Sequence, residues 1–273
     1  MRARAAAFWA LAMLMLLAAP AWADARVTLL MERLHLAEIV DIMRDEGLDY
    51  AQSLDEDMLA GQGGAFWNAQ VTRIYDRARM MEMVREGLRN GLSPQQVDRA
   101  LLFFDSDLGR RIVTLEVAAR AAMVDEAVEE AARGTYLRLR NEHDPRLDPI
   151  DRFVAANDLL DRNVTGAMTS NMQFYRGIAE GGAIDMTEQE MLADVWEQEQ
   201  AIRDDTEGWL YGYLLLAYEP LETGDIEEYV AFSQTATGRA LNAALFAGFE
   251  AMYRDISYAL GRAVALSAHS SDL

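Results

Sequence analysis

One stretch of this chain occurs twice, and that repetition constrains the fold more than any other feature. Phe103-Phe104-Asp105-Ser106-Asp107-Leu108-Gly109-Arg110 is answered by Phe232-Ser233-Gln234-Thr235-Ala236-Thr237-Gly238-Arg239, with the two glycines 129 positions apart. The same offset pairs Leu92 with Leu221, Val97 with Ile226, Leu101 with Val230 and Met123 with Met252. Upstream it pairs Trp67 with Trp196. A fold that accommodates this chain has to build the same local object twice.

Each copy reads as two helices meeting at a corner. Ser93 suits an N-cap, Pro94 the first helical position, and Gln96 closes a capping box back to Ser93. Val97, Ala100, Leu101 and Phe104 then fall on one helical face. Ser106 and Thr235 are the N-caps of the following helices, which places Gly109 and Gly238 in their first turns. Glycine inside a helix costs about 1 kcal/mol relative to alanine, so a compensating reason is expected. One reason is close approach of a neighbouring backbone. The other is an anion site built from free helix-start N–H groups with Arg110 or Arg239 beside them. The corner motif is therefore Phe103, Ser106, Gly109 and Arg110 in one copy, and Phe232, Thr235, Gly238 and Arg239 in the other.

The pattern Phe-x-x-Ser-x-x-Gly-Arg after a Leu-Ser-x-x-x-Val helix resembles the signature of the bacterial family called domain of unknown function 2059. The resemblance implies a secreted or periplasmic helical protein, and it brings no established activity and no catalytic residues. The family commonly has proline after the serine; here Asp107 and Ala236 stand there. A carboxylate in the first turn, as at Asp107, suits the positive end of the helix.

The N-terminus reads as a secretory signal over residues 1–23. Arg2 and Arg4 are the basic start, Ala5 to Ala18 the apolar run, and Ala21-Trp22-Ala23 a small-x-small cleavage site after Pro20. Cleavage after Ala23 gives a periplasmic product with no stable membrane anchor, since no later segment is long and apolar enough to span a bilayer. The chain has no lysine and no cysteine. The stretch after Ala23 carries 23 arginines against 45 acidic residues. That charge opposes nucleic acid and anionic membrane surfaces. Without cysteine there are no disulfides, thiol catalysis or thiolate metal sites.

The remaining prolines, Pro94, Pro145, Pro149 and Pro220, read as lying at helix starts or in linkers, which points to an all-α fold. The first helical unit is expected over 24–140, a polar linker over 141–149, the second unit over 150–268 and a frayed tail over 269–273. A helical period runs from Val27 to about Met58 with a break near His35, and Gly61-Gln62-Gly63-Gly64 reads as a helix-to-helix turn. The helix after the first corner is expected to run on through Met123 and Val128 towards Arg140. Phe153 to Ala179, a helix capped by Thr187 and Glu190, and Trp209 to Tyr218 follow.

Chemistry is sparse. One Glu-x-x-His pair, Glu32 and His35, falls short of a di-iron bundle, which uses two such pairs plus two further glutamates. His143 stands in a polar linker, and Met80, Met81 and Met83 read as helical core. No metal site and no cofactor is called for. The acidic runs read as solvated surface, so a hydrolase using an acidic pair is the competing class, with no residues nominated. The leading class is a non-catalytic protein that binds a protein partner, a second copy of itself or an apolar ligand. Its candidate surface comes from a difference between the copies. Glu82, Arg85, Glu86 and Arg89 form a polar helical stripe, and the offset turns them into Tyr211, Leu214, Leu215 and Tyr218, with Trp209 alongside. Either this apolar face packs against the first unit, or it is an open groove or interface with aromatic anchors.

Overall fold

The computed structural model describes residues 24–271, with side-chain placement to residue 268. The signal-peptide reading concerns residues that lie outside this range. Among the described residues the secondary structure is helical throughout. Residues 24–33 form α1. His35 then adopts a left-handed conformation (φ 50°), which halts the helix before α2 (Leu36–Leu59). Polar residues such as histidine tolerate this region better than most side chains. The break foreseen near His35 is therefore present.

The glycine-rich stretch is a connector. Ala60, Gly61 and Gly64 all have positive φ, and the Gly61 N–H donates to the Asp55 carbonyl as α2 ends. The chain then enters α3 (Gly64–Ile74) and α4 (Arg77–Gly91). The Ser93–Gln96 capping box is formed at the start of α5 (Pro94–Phe104). After the corner comes α6 (Asp107–Ala122).

Here the expectation needs correcting. The post-corner helix does not continue to Arg140. It ends at Met123, and the Asp125 side chain caps a new helix, α7 (Glu126–Glu142), by accepting from the Ala127 N–H. A cap that satisfies orphan N–H groups stabilises a fresh start by roughly 1 kcal/mol. The polar stretch 141–149 is also shorter as a connection than expected. His143 closes α7 in a left-handed conformation, and α8 (Leu147–Asn157) begins four residues later. Asp158 (φ 55°) separates α8 from α9 (Leu159–Glu180). The Thr187–Glu190 capping box opens α10 (Glu188–Glu197), followed by α11 (Glu199–Tyr218), α12 (Thr223–Ser233) and α13 (Ala236–Ser271). Residues 269–271, expected to fray, continue α13.

The two corners are built alike. The Ser106 hydroxyl accepts from the Gly109 N–H at 3.0 Å, and the Thr235 hydroxyl accepts from the Gly238 N–H at 2.9 Å. A Cβ on either glycine would fall on the carbonyl oxygen of Phe103 or of Phe232. The two corners also meet: Phe103 and Phe232 stack with ring centroids 4.0 Å apart and planes at 9°. Equivalent residues touching each other is how a two-fold interface looks, here within one chain.

Packing crosses between the halves. Helix α4 lies along α13, while α11 lies along α6 and α7, so the helix two before each corner packs on the helix after the other corner. One core joins α1–α5 to Leu241, Ala244, Met252, Ile256 and Leu260 of α13. A second joins Ile112 and Ala119 of α6 to α8, α11 and α12. Glycines permit the closest crossings: a Cβ on Gly87 of α4 would stand 2.6 Å from the Gly248 Cα of α13.

Candidate functional site

The corner motif is a structural element. Its arginines are engaged locally, Arg110 with the Asp105 carbonyl and Asp107, and Arg239 with the Gln234 carbonyl. The first-turn N–H groups of Gly109 and Gly238 are taken by the hydroxyl caps. With the arginines held locally and a Cβ at either glycine overlapping the Phe103 or Phe232 carbonyl, close backbone packing is the reason for both glycines.

The apolar stripe on α11 faces the first half of the chain. Leu214 and Tyr218 are buried; Trp209, Tyr211 and Leu215 are partly buried. Tyr211 stacks on Tyr136 of α7 at 4.6 Å and donates its hydroxyl to Asp151 of α8 at 2.8 Å. Leu215 packs on the small cluster of Tyr136, Leu139 and Leu147. Trp209 stacks on Tyr213 at 5.3 Å, and the Arg120 guanidinium sits over its ring at 5.2 Å. The close approach is permitted at Gly212, where a Cβ would stand 3.0 Å from the Ala132 backbone of α7. What covers this stripe is the chain's own α6 and α7.

Behind the stripe lies a polar cluster that the sequence reading missed. Glu116 of α6, part-buried in the seam, accepts from the Tyr218 hydroxyl at 2.6 Å, and the Tyr229 hydroxyl of α12 also bonds to its carboxylate. Its backbone carbonyl accepts from Tyr213 at 3.2 Å. Burial pushes the Glu116 carboxyl up from 4.5 to about 7, against the two tyrosine bonds, which pull it down. Burial likewise pushes all three tyrosines well above their ordinary value. One turn on, Arg120 forms a two-pronged ion pair with Glu46 of α2. A carboxyl near neutrality suits proton transfer. An acid pair, though, requires a second carboxyl in a contrasting environment, and the carboxylate beside Arg120 is held by that arginine. The only sequence trace of Glu116 is an acid inside the apolar run Ile112 to Val117.

A second feature unseen in the sequence is an open groove of about 590 Å³ between α4 and α13. Its floor is small: Gly87 and Gly91 from α4, and Ala240, Ala243, Ala247 and Ala251 from α13. Ala244, Met83, Glu86, Asn90, Arg254 and Asp255 form the rest of its lining. Glu86 pairs with Arg89 and Asp255 with Arg79, whereas Arg254 is exposed and without an ion pair among the described residues. The α13 alanines recur at helical spacing, which is the one signal that could have revealed the groove.

Met80 is buried, and Met81 and Met83 pack against the first core. Among the described residues no three His, Asp or Glu side chains gather as metal ligands, and no helix is long and apolar enough to cross a membrane.

Residues 78–135, which run from α4 through the first corner into α7, match the family model described as an uncharacterized protein conserved in bacteria (DUF2059). No curated protein and no solved structure gives a match.

Proposed function

We propose that the chain is an exported, non-catalytic binding protein that takes an elongated aliphatic anion in the groove between α4 and α13. The basic start and small-x-small site of residues 1–23 support the export. The groove carries the binding reading. Its volume of about 590 Å³ falls in the ordinary range of ligand sites, roughly 300–1,000 Å³. Glycine and alanine give its floor no side-chain rotamers to order when a ligand enters. From Ala240 to Ala251 the α13 floor advances by roughly 16 Å at 1.5 Å per residue, a length that suits a linear chain. Arg254, without an ion pair among the described residues, stands at one end as the cation for an acidic head group.

Isothermal titration with dodecanoate tests this reading. Saturable binding is expected, lost in Ala247→Trp, which fills the groove from an exposed position, and weakened several-fold in Arg254→Ala. Absence of saturable binding by the parent protein, or unchanged binding by Ala247→Trp, would overturn it.

A further inference from the structure

The offset of 129 pairs Trp67 with Trp196, and the structure places the two tryptophans in opposite environments. Trp67 is 2% exposed, enclosed in the first core beneath α13, which crosses α3. Trp196 on α10 is 62% exposed, and Leu192, one turn earlier on the same face, is 48% exposed. Met191 and Val195 bury the other face of α10. The difference has a visible cause. The counterpart of α13 in the first half is α6 followed by α7, interrupted at Met123–Asp125, and α7 turns away to lie along α11. The helix that covers Trp67 thus has no equivalent over Trp196.

The surroundings of this bare face are acidic. Helix α10 carries Glu188, Glu190, Asp194 and Glu197, with Glu199 just beyond, and no arginine. Glu188 lies one turn before Leu192 on the same stripe. It reaches Arg176, while Glu199 reaches Arg203 and Asp194 accepts from Tyr175 and Gln198. Glu190 is engaged in the cap, and Glu197 is exposed without an ion pair among the described residues. An exposed tryptophan with an apolar neighbour, ringed by polar groups, is the composition of an interface anchor, and apolar anchors at i, i+4 spacing are how amphipathic helices engage one another.

We infer that the Leu192–Trp196 face of α10 docks a basic amphipathic helix of a partner protein, whose apolar stripe takes the place over Trp196 that α13 takes over Trp67. The partner's lysines and arginines flank its apolar stripe and meet the acidic rim, so docking is steered by charge and weakens with salt. This surface is separate from the α4–α13 groove, and neither reading depends on the other.

The test uses a fluorescein-labelled synthetic helix of leucine and lysine with one apolar face, a shuffled peptide of identical composition, and a leucine–glutamate helix. Anisotropy at low salt should show saturable binding of the first peptide, at least tenfold weaker binding of the shuffled one, and none of the acidic one. Trp196→Ser and Leu192→Ser, both at exposed positions, should each weaken the first peptide at least tenfold while circular dichroism is unchanged. Equal affinity for the shuffled peptide would reduce the effect to attraction by the acidic body and overturn the inference. So would affinity unchanged by Trp196→Ser, or a concentration-dependent dimer of the unliganded protein that Trp196→Ser dissolves, which would make the face a self-interface.

Discussion

Replacing Glu116 by glutamine separates the cost of its charge from the rest of the molecule. In the folded chain the carboxyl is pushed up from 4.5 to about 7, with burial as the dominant cause. At about 1.4 kcal/mol for each tenfold change in proton affinity, the ionised form is disfavoured by up to roughly 3 kcal/mol. Solvent reaches part of Glu116, so this is an upper bound. The sign follows from linkage: a group whose folded value is raised holds its proton in the native state while the unfolded chain has released it. Stability from this group is therefore fully present below about pH 4.5 and is lost as pH rises to about 7. Glutamine keeps the shape and can still bond the tyrosine hydroxyls, yet it never ionises. Urea unfolding of both proteins at pH 5, 6, 7 and 8 measures the difference directly, and groups with depressed values, such as Asp41 and Glu190, cancel in the comparison. The variant should exceed the parent by less than about 1 kcal/mol at pH 5 and by up to roughly 3 kcal/mol at pH 8. For a chain of this size that corresponds to several degrees in melting temperature. A stability difference that stays constant from pH 5 to pH 8 would show that the seam does not raise the Glu116 carboxyl.

Three further outcomes follow from the packing. Gly109→Ala should destabilise by about 1–3 kcal/mol, because its Cβ meets the Phe103 backbone, whereas Gly134→Ala, in open space on α7, should stabilise by up to about 1 kcal/mol; thermal melts of the two variants check the contrast. Trp67→Ala should cost about 3–5 kcal/mol and Trp196→Ala no more than about 0.5 kcal/mol, read by denaturant titration of each. N-terminal sequencing of the protein purified from its native host should begin at Asp24, and an intact Met1 would refute the cleavage reading.

What the sequence made legible was local and chemical. Ser93 with Gln96, Thr187 with Glu190, and the hydroxyl caps before Gly109 and Gly238 each combine a residue type with a fixed spacing, and each appears as read. The break at Met123–Asp125 was hidden because Ala119, Met123 and Val128 sustain a helical period across it, leaving one aspartate cap as its mark. Glu116 was hidden because a lone acid on a helix reads as solvated, and only the arrival of α11 and α12 encloses it. The groove was hidden because alanine fits either a core face or a surface face. The choice between internal packing and an open groove for Tyr211, Leu215 and Tyr218 depended on where α7 lies, a fact of long-range arrangement that no local pattern contains.

The exchange of helices between the two halves has a consequence for the order of events during synthesis. The core around Trp67, Val84 and Leu88 includes Leu241, Met252, Ile256 and Leu260, supplied by the final helix of 36 residues. A ribosome releases the chain from its N-terminus, so α1–α5 emerge long before the helix that completes their core. Contacts so distant along the chain carry a large closure entropy and form late. The nascent first half therefore has no finished interior to fold around, and it stays an open chain until the last segment arrives. The connectivity itself works as a timer.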